Sequence, residues 1–70
     1  MEFKRIKDLR EDNDLYQKDI ANYLNITQQQ YSLYELGVRD LPIDLLIKLA
    51  NFYKVSTDYI LGLSDKKNIN

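Results

Sequence analysis

The chain contains no cysteine and no histidine. No disulfide can staple it, and the usual thiolate and imidazole ligands of a zinc site are missing. Two glycines and one proline in 70 residues leave little turn punctuation, which favours helices over many short strands. No apolar run approaches the roughly 20 residues of a membrane-spanning helix. Neither sign of charge dominates: ten Lys and Arg against eleven Asp and Glu leave a net charge of −1. A broadly basic surface, the usual electrostatic footprint of a nucleic-acid binder, is therefore missing from the chain as a whole.

Other absences bear on catalysis. There is no glycine-rich phosphate loop and no carboxylate cluster with metal-ligand spacing. Asp8, Glu11, Asp12 and Asp14 are dense but read as a solvated helix end. The expectation is a protein that is not an enzyme and carries no cofactor and no metal. The opening Met1-Glu2-Phe3-Lys4-Arg5 is charged and is not followed by a signal-peptide core. A cytoplasmic location is expected.

What is present is helical periodicity. Seventy residues suit one domain, here expected over 1–63, with a polar, frayed tail over 64–70. Five short helices are expected, packed as an all-α bundle. The first runs from about Glu2 to Asp12, with Phe3, Ile6 and Leu9 on one stripe, and Asn13-Asp14 ends it. The second covers Gln17 to Leu24 and buries Ile20, Ala21 and Leu24. Tyr16 offers it no good capping oxygen, a lack that Asp19 partly offsets. Asn25-Ile26 forms a turn. Thr27-Gln28-Gln29-Gln30 then reads as a capping box for a third helix that runs to about Leu36 before Gly37. Tyr31 and Tyr34 point inward, which leaves Gln28, Gln29, Ser32 and Leu33 on the surface. Pro42 suits the first turn of a fourth helix, with Leu46, Leu49, Ala50 and Tyr53 on its apolar stripe, supported by Ile43 and Leu45. Ser56 caps a short fifth helix holding Tyr59, Ile60 and Leu61, which Gly62 ends.

A short helix, a tight turn and a capped second helix make a helix-turn-helix unit, here Gln17 to Leu36. Its exposed chemistry gives it a purpose. A glutamine amide holds one donor end and one acceptor end, and can bond both N6 and N7 of adenine in the major groove. Gln28 and Gln29 lie at the N-terminal end of the third helix, the end that meets base edges in such units. Scattered cations accompany them: Lys4, Arg5, Lys7 and Arg10 in the first segment, Lys18 early in the second, and Arg39 after the third.

Over about residues 3 to 62 the sequence resembles the phage repressor and Cro family of helix-turn-helix proteins, also called the XRE family. The matching residues are Ile6-Lys7-Asp8-Leu9-Arg10, Leu15, Gln17-Lys18-Asp19-Ile20-Ala21, Leu24, Ile26-Thr27-Gln28-Gln29, Tyr31-Ser32, Tyr34-Glu35, Gly37, Arg39, Pro42, Leu46, Lys48-Leu49-Ala50, Val55-Ser56 and Asp58-Tyr59-Ile60-Leu61-Gly62. The resemblance implies a lambda-repressor-like DNA-binding domain. It implies a regulator of transcription that binds palindromic double-stranded DNA as a homodimer. Gln28, Gln29, Ser32 and Leu33 fall at base-contacting positions. Gln17, Thr27, Gln30 and Arg39 fall at phosphate-contacting ones, with Gln17 also bracing the first reading side chain. Arg10 and Glu35 resemble the family's structural ion pair, which suits a late-helix carboxylate that needs a bidentate cation.

Three departures stand against that pattern. Leu33 and Leu36 stand where polar or basic residues are common, and the third helix has no Lys or Arg. Weak non-specific attraction to phosphate follows. Exposed Leu33 and Leu36 also fit the alternative reading, a protein-interaction module such as an antitoxin-like component. Tyr59 and Leu63 look like surplus apolar groups and are the expected dimer contacts.

Overall fold

The computed structural model of the protein describes residues 4–67. Five helices follow one another: α1 (Lys4–Asp12), α2 (Gln17–Leu24), α3 (Gln28–Glu35), α4 (Ile43–Tyr53) and α5 (Thr57–Leu61). No strand occurs among the described residues, and the fold is all-α. The expected helical positions Glu2 and Phe3 lie outside the described residues. No described helix is long and apolar enough to cross a membrane.

Each boundary has a local cause. Asp19 accepts from the Tyr16 amide at 2.8 Å and its own amide donates to Tyr16 O at 3.0 Å, which ties down the start of α2 although Tyr16 has no capping side chain. Asn25 ends α2 in the left-handed region at φ 60°, a conformation Asn tolerates better than most residues. The Ile26 amide then donates to Ala21 O at 3.0 Å, closing the turn into α3. At the α3 start the Gln30 amide donates to Thr27 Oγ1 at 3.1 Å, and the Thr27 amide donates to Gln30 Oε1 at 3.2 Å. This reciprocal pair satisfies two helix-end donors at once. Ser56 Oγ caps α5 through the Tyr59 amide at 3.0 Å, and Gly62 ends it at φ 79°.

Four expectations need correction. Asp14, not Asn13, takes the left-handed turn after α1, at φ 56°. Asn13 instead donates both its side-chain amide and its backbone amide to Leu9 O, at 2.7 and 3.2 Å. α3 closes at Glu35, with Leu36 as its C-cap. Pro42 is the N-cap of α4, extended at ψ 150°, rather than a residue of its first turn. Ile43, one step further on, is 75% exposed and lends nothing to the core.

The core joins all five helices. Ile6 and Leu9 come from α1, Ile20, Ala21 and Leu24 from α2, and Tyr31 and Tyr34 from α3. Leu45, Leu46, Leu49 and Ala50 of α4 and Ile60 of α5 complete it, with Leu41 and Val55 from the connections. Burying each large aliphatic side chain contributes about 1.5–3 kcal/mol. Ala21 at the α2–α3 corner leaves room for close approach, and α2 packs on both α3 and α4.

The chain end is held more firmly than a frayed tail implies. Arg5 Nη1 donates to Tyr59 O at 3.0 Å and to Ser64 O at 2.7 Å, and Nη2 meets Asp65 Oδ1 at 3.0 Å. The Ser56 amide donates to Lys67 O at 2.9 Å. Residues 64–67 thus fold back over α1 and the start of α5. Tyr59 is not surplus either: the Arg5 guanidinium lies 4.3 Å from its ring centroid, a cation–π contact. Among the described residues Leu63 is the apolar group left exposed at this end, at 75%.

Candidate nucleic-acid interface

The N-terminal half of α3 presents Gln28 and Gln29 fully to solvent, with Ser32 and Leu33 half-buried beside them. Together with Gln17 of α2 they line one solvent-open groove of about 530 Å³. The spacing follows from helix geometry: 28, 29, 32 and 33 share one face, while Tyr31 and Tyr34 fill the core on the other. Among the described residues neither the Gln28 nor the Gln29 amide has a hydrogen-bond partner. Both keep their donors and acceptors for something outside the chain.

The capping box arms the edge of the same surface. Thr27 Oγ1 and Gln30 Oε1 are occupied as acceptors by backbone amides. The Thr27 hydroxyl proton and the Gln30 amide hydrogens stay free to donate outward. Donors at a helix N-terminus suit an anion. After α3, Gly37 turns at φ 76°, and the Val38 and Arg39 amides both donate to Leu33 O, at 3.0 and 3.3 Å. That uses the Arg39 amide internally and leaves its exposed side chain as the outward cation.

Behind the groove lies a partly buried polar chain. Arg10 Nε donates to Glu35 Oε2 at 2.7 Å, and Arg10 Nη2 donates to Glu35 Oε1 at 3.1 Å. Arg10 Nη1 also holds Leu15 O at 2.9 Å, tying the loop after α1 to the pair. The side chains of Arg10 and Glu35 are only 13% and 3% exposed. Gln17 Nε2 adds a third donor to the carboxylate, reaching Oε1 at 3.1 Å. Burial alone would raise the Glu35 pKa; hydrogen bonds from Arg10 and Gln17, with the Tyr31 hydroxyl close by, outweigh it and hold the group below the usual carboxylate range. The Tyr31 and Tyr53 hydroxyls are buried without a well-formed hydrogen bond. Burial first, then the nearby Glu35 charge, pushes both phenols above their ordinary value.

The cations divide differently from their order in the sequence. Arg5 is consumed by the chain end and Arg10 by Glu35. Of the cations that lie in the first segment, these two are therefore engaged within the fold. Lys18 is exposed beside Tyr16, its ammonium 5.6 Å from that ring. The role of Arg5 had no local signal, because its partners lie 54 to 60 residues away.

Residues 6–60 match the helix-turn-helix family. The chain is 46% identical over 67 residues to the HTH-type transcriptional regulator ImmR of Bacillus subtilis (strain 168), covering 93% of this chain and 53% of that protein. It is 39% identical over 62 residues to the uncharacterized HTH-type transcriptional regulator YobD of the same organism, covering 89% and 55%. It is 37% identical over 51 residues to the cryptic phage CTXphi transcriptional repressor RstR of Vibrio cholerae, covering 73% and 46%. The chain spans about half the length of these curated relatives. No solved structure gives a significant match.

Proposed function

The chain belongs to the helix-turn-helix family, and from that premise we propose that it is a sequence-specific double-stranded-DNA-binding regulator of transcription, a repressor that binds a palindromic operator as a dimer in the cytoplasm. One observation carries this reading. The amides of Gln28 and Gln29 stand unpartnered at the N-terminal end of α3, in a groove open to solvent. That is the end of the helix from which side chains reach base edges in the major groove.

Roles follow from chemistry. Gln28 and Gln29 read adenine through paired donor and acceptor. Leu33 has only apolar surface to give, which suits a thymine methyl group, and Ser32 adds a hydroxyl of either polarity. Gln17, Thr27, Gln30 and Arg39 anchor the DNA backbone, Thr27 and Gln30 through the donors that capping leaves free. Repression is inferred from RstR, a relative named as a transcriptional repressor. Domain limits of 1–63, with 64–70 as an appended segment, complete the reading.

Selecting bound duplexes from a random pool tests it. The expected product is a two-fold site with half-site centres about 10 base pairs apart, one helical turn. If no sequence is enriched while the folded protein captures a protein partner, the interaction-module reading replaces this one. Exposed Leu36 and Val38, just past α3, are the surface it would use.

A further inference from the structure

The Arg10–Glu35 pair is more than a clasp between helices, because Glu35 also holds Gln17. Its Oε1 accepts from Arg10 Nη2 and from Gln17 Nε2, each at 3.1 Å. An ionised carboxylate has no proton to give. The end of the Gln17 amide that meets it must therefore be the NH2 end. In an exposed glutamine the two ends exchange freely by a half-turn of the terminal torsion. Here the half-turn would set the amide oxygen against a carboxylate oxygen and lose the hydrogen bond.

The carboxylate cannot yield to the amide, since Arg10 grips it through two nitrogens and is itself tied to Leu15 O. Gln17 in turn lines the groove with Gln28 and Gln29. We propose that Glu35 is a positioning residue for recognition: it fixes the Gln17 amide with its oxygen and one remaining N–H toward the groove, and so sets the polarity that Gln28 and the DNA meet there. The inference rests on the reading that this groove meets DNA. Glu35 touches no nucleic acid and acts only through Gln17.

The test is a cycle of Glu35→Gln and Gln17→Met. Gln at 35 is isosteric but offers a donor end as well as an acceptor end, so it no longer holds the Gln17 amide to one orientation. The readout is the ratio of affinities for a selected operator and for the same duplex with one base pair changed in each half-site. Partial unfolding lowers both affinities alike and leaves the ratio unmoved. Glu35→Gln is expected to lower the ratio by about three- to tenfold, the worth of one neutral hydrogen bond. In the Gln17→Met background it is expected to change nothing. An unchanged ratio for Glu35→Gln, or an equal loss in both backgrounds, overturns the proposal.

Side-chain amide NMR of the unaltered protein tests the clamp without any variant. The two Gln17 amide protons are expected to be split unlike those of Gln28 and Gln29, and to move as Glu35 titrates. Gln17 protons that match the exposed glutamines overturn the proposal even if Glu35→Gln fails to fold. A protein with a clamped Gln17 that discriminates no duplex overturns the regulatory reading instead, and with it the role in recognition.

Discussion

Replacing Arg10 with Met is expected to make stability respond to acid with the opposite sign to the unaltered protein. In that protein Glu35 titrates below the usual carboxylate range. Its contribution is fully present above the unfolded value of about 4.3 and is lost as pH falls through the lower folded value. Arg10→Met removes both guanidinium hydrogen bonds and leaves a carboxylate 3% exposed, with Gln17 as its remaining well-formed partner. Breaking one side of a buried pair costs about 3–5 kcal/mol. The stranded carboxylate has an escape, however, because it can take up a proton. At pH 7 that costs about 1.4 kcal/mol for each unit between 7 and 4.3, or roughly 3.7 kcal/mol. Protonation limits that part of the penalty, so the loss is expected to shrink by up to about 2–3 kcal/mol between pH 7 and pH 5. Glu35→Leu strands a guanidinium instead. That group cannot deprotonate, but it is 13% exposed and keeps Leu15 O. Its penalty is expected to be about 3 kcal/mol and flat between pH 5 and 8. The double variant leaves no charge behind and is expected to lose less than either single one. Total stability for a domain this size is roughly 4–10 kcal/mol, so urea titrations in a stabilising sulfate buffer suit the series. Additive losses, or an Arg10→Met penalty that does not shrink at pH 5, would refute the reasoning.

Other outcomes follow from the same geometry. Gln28→Ala and Gln29→Ala are each expected to relax discrimination at one base position per half-site by about 1–3 kcal/mol with little change in salt dependence; affinities for single-base operator variants check this. Lys18 on α2 and Arg39 just after α3 are exposed cations, so a dimer is expected to show a shallow slope of log affinity against log salt, about −3 to −4, which Arg39→Ala flattens by about one per subunit. Lys54 ends α4 in the left-handed region at φ 56°, so Lys54→Gly is expected to stabilise by up to about 1 kcal/mol, the left-handed cost less the entropy glycine adds to the unfolded chain. Gly62→Ala is expected to destabilise by about 1–2 kcal/mol at φ 79°, although a Cβ there meets no atom within 4 Å; thermal midpoints check both.

The helices were legible because each carries its own instructions. Apolar spacing marked the buried faces, and Thr27 with Gln30, Ser56 and Gly62 marked ends whose capping hydrogen bonds span no more than four residues. Where two neighbouring residues could both do a job, local chemistry did not choose between them. Asn13 and Asp14 both tolerate the left-handed turn; Asn13 found a better use capping Leu9 O, and Asp14 took the turn. Pro42 sits one residue earlier than its preference suggests, because its extended ψ leads in from the buried Leu41. Ile43 is apolar and falls beside the stripe, yet the α4 face that packs is the one carrying Leu45, Leu46, Leu49 and Ala50. Spacing alone does not show which of two adjacent apolar positions a partner helix covers.

Long-range polar contacts account for what could not be read locally, and they change the electrostatics of the surface. Ten Lys and Arg residues are nearly balanced by eleven acids, and two of the cations, Arg5 and Arg10, are taken up inside the fold. A groove with so little positive charge cannot rely on counterion release for its affinity. Discrimination must then come from the directional contacts of neutral groups, which the unpartnered Gln28 and Gln29 are free to make. Neutral hydrogen bonds are short-ranged and directional, so a small misalignment loses them where a charge contact would survive. A low-charge reading face therefore needs a rigid support. The partly buried chain running from Leu15 O through Arg10 and Glu35 to Gln17 places that support directly behind the groove.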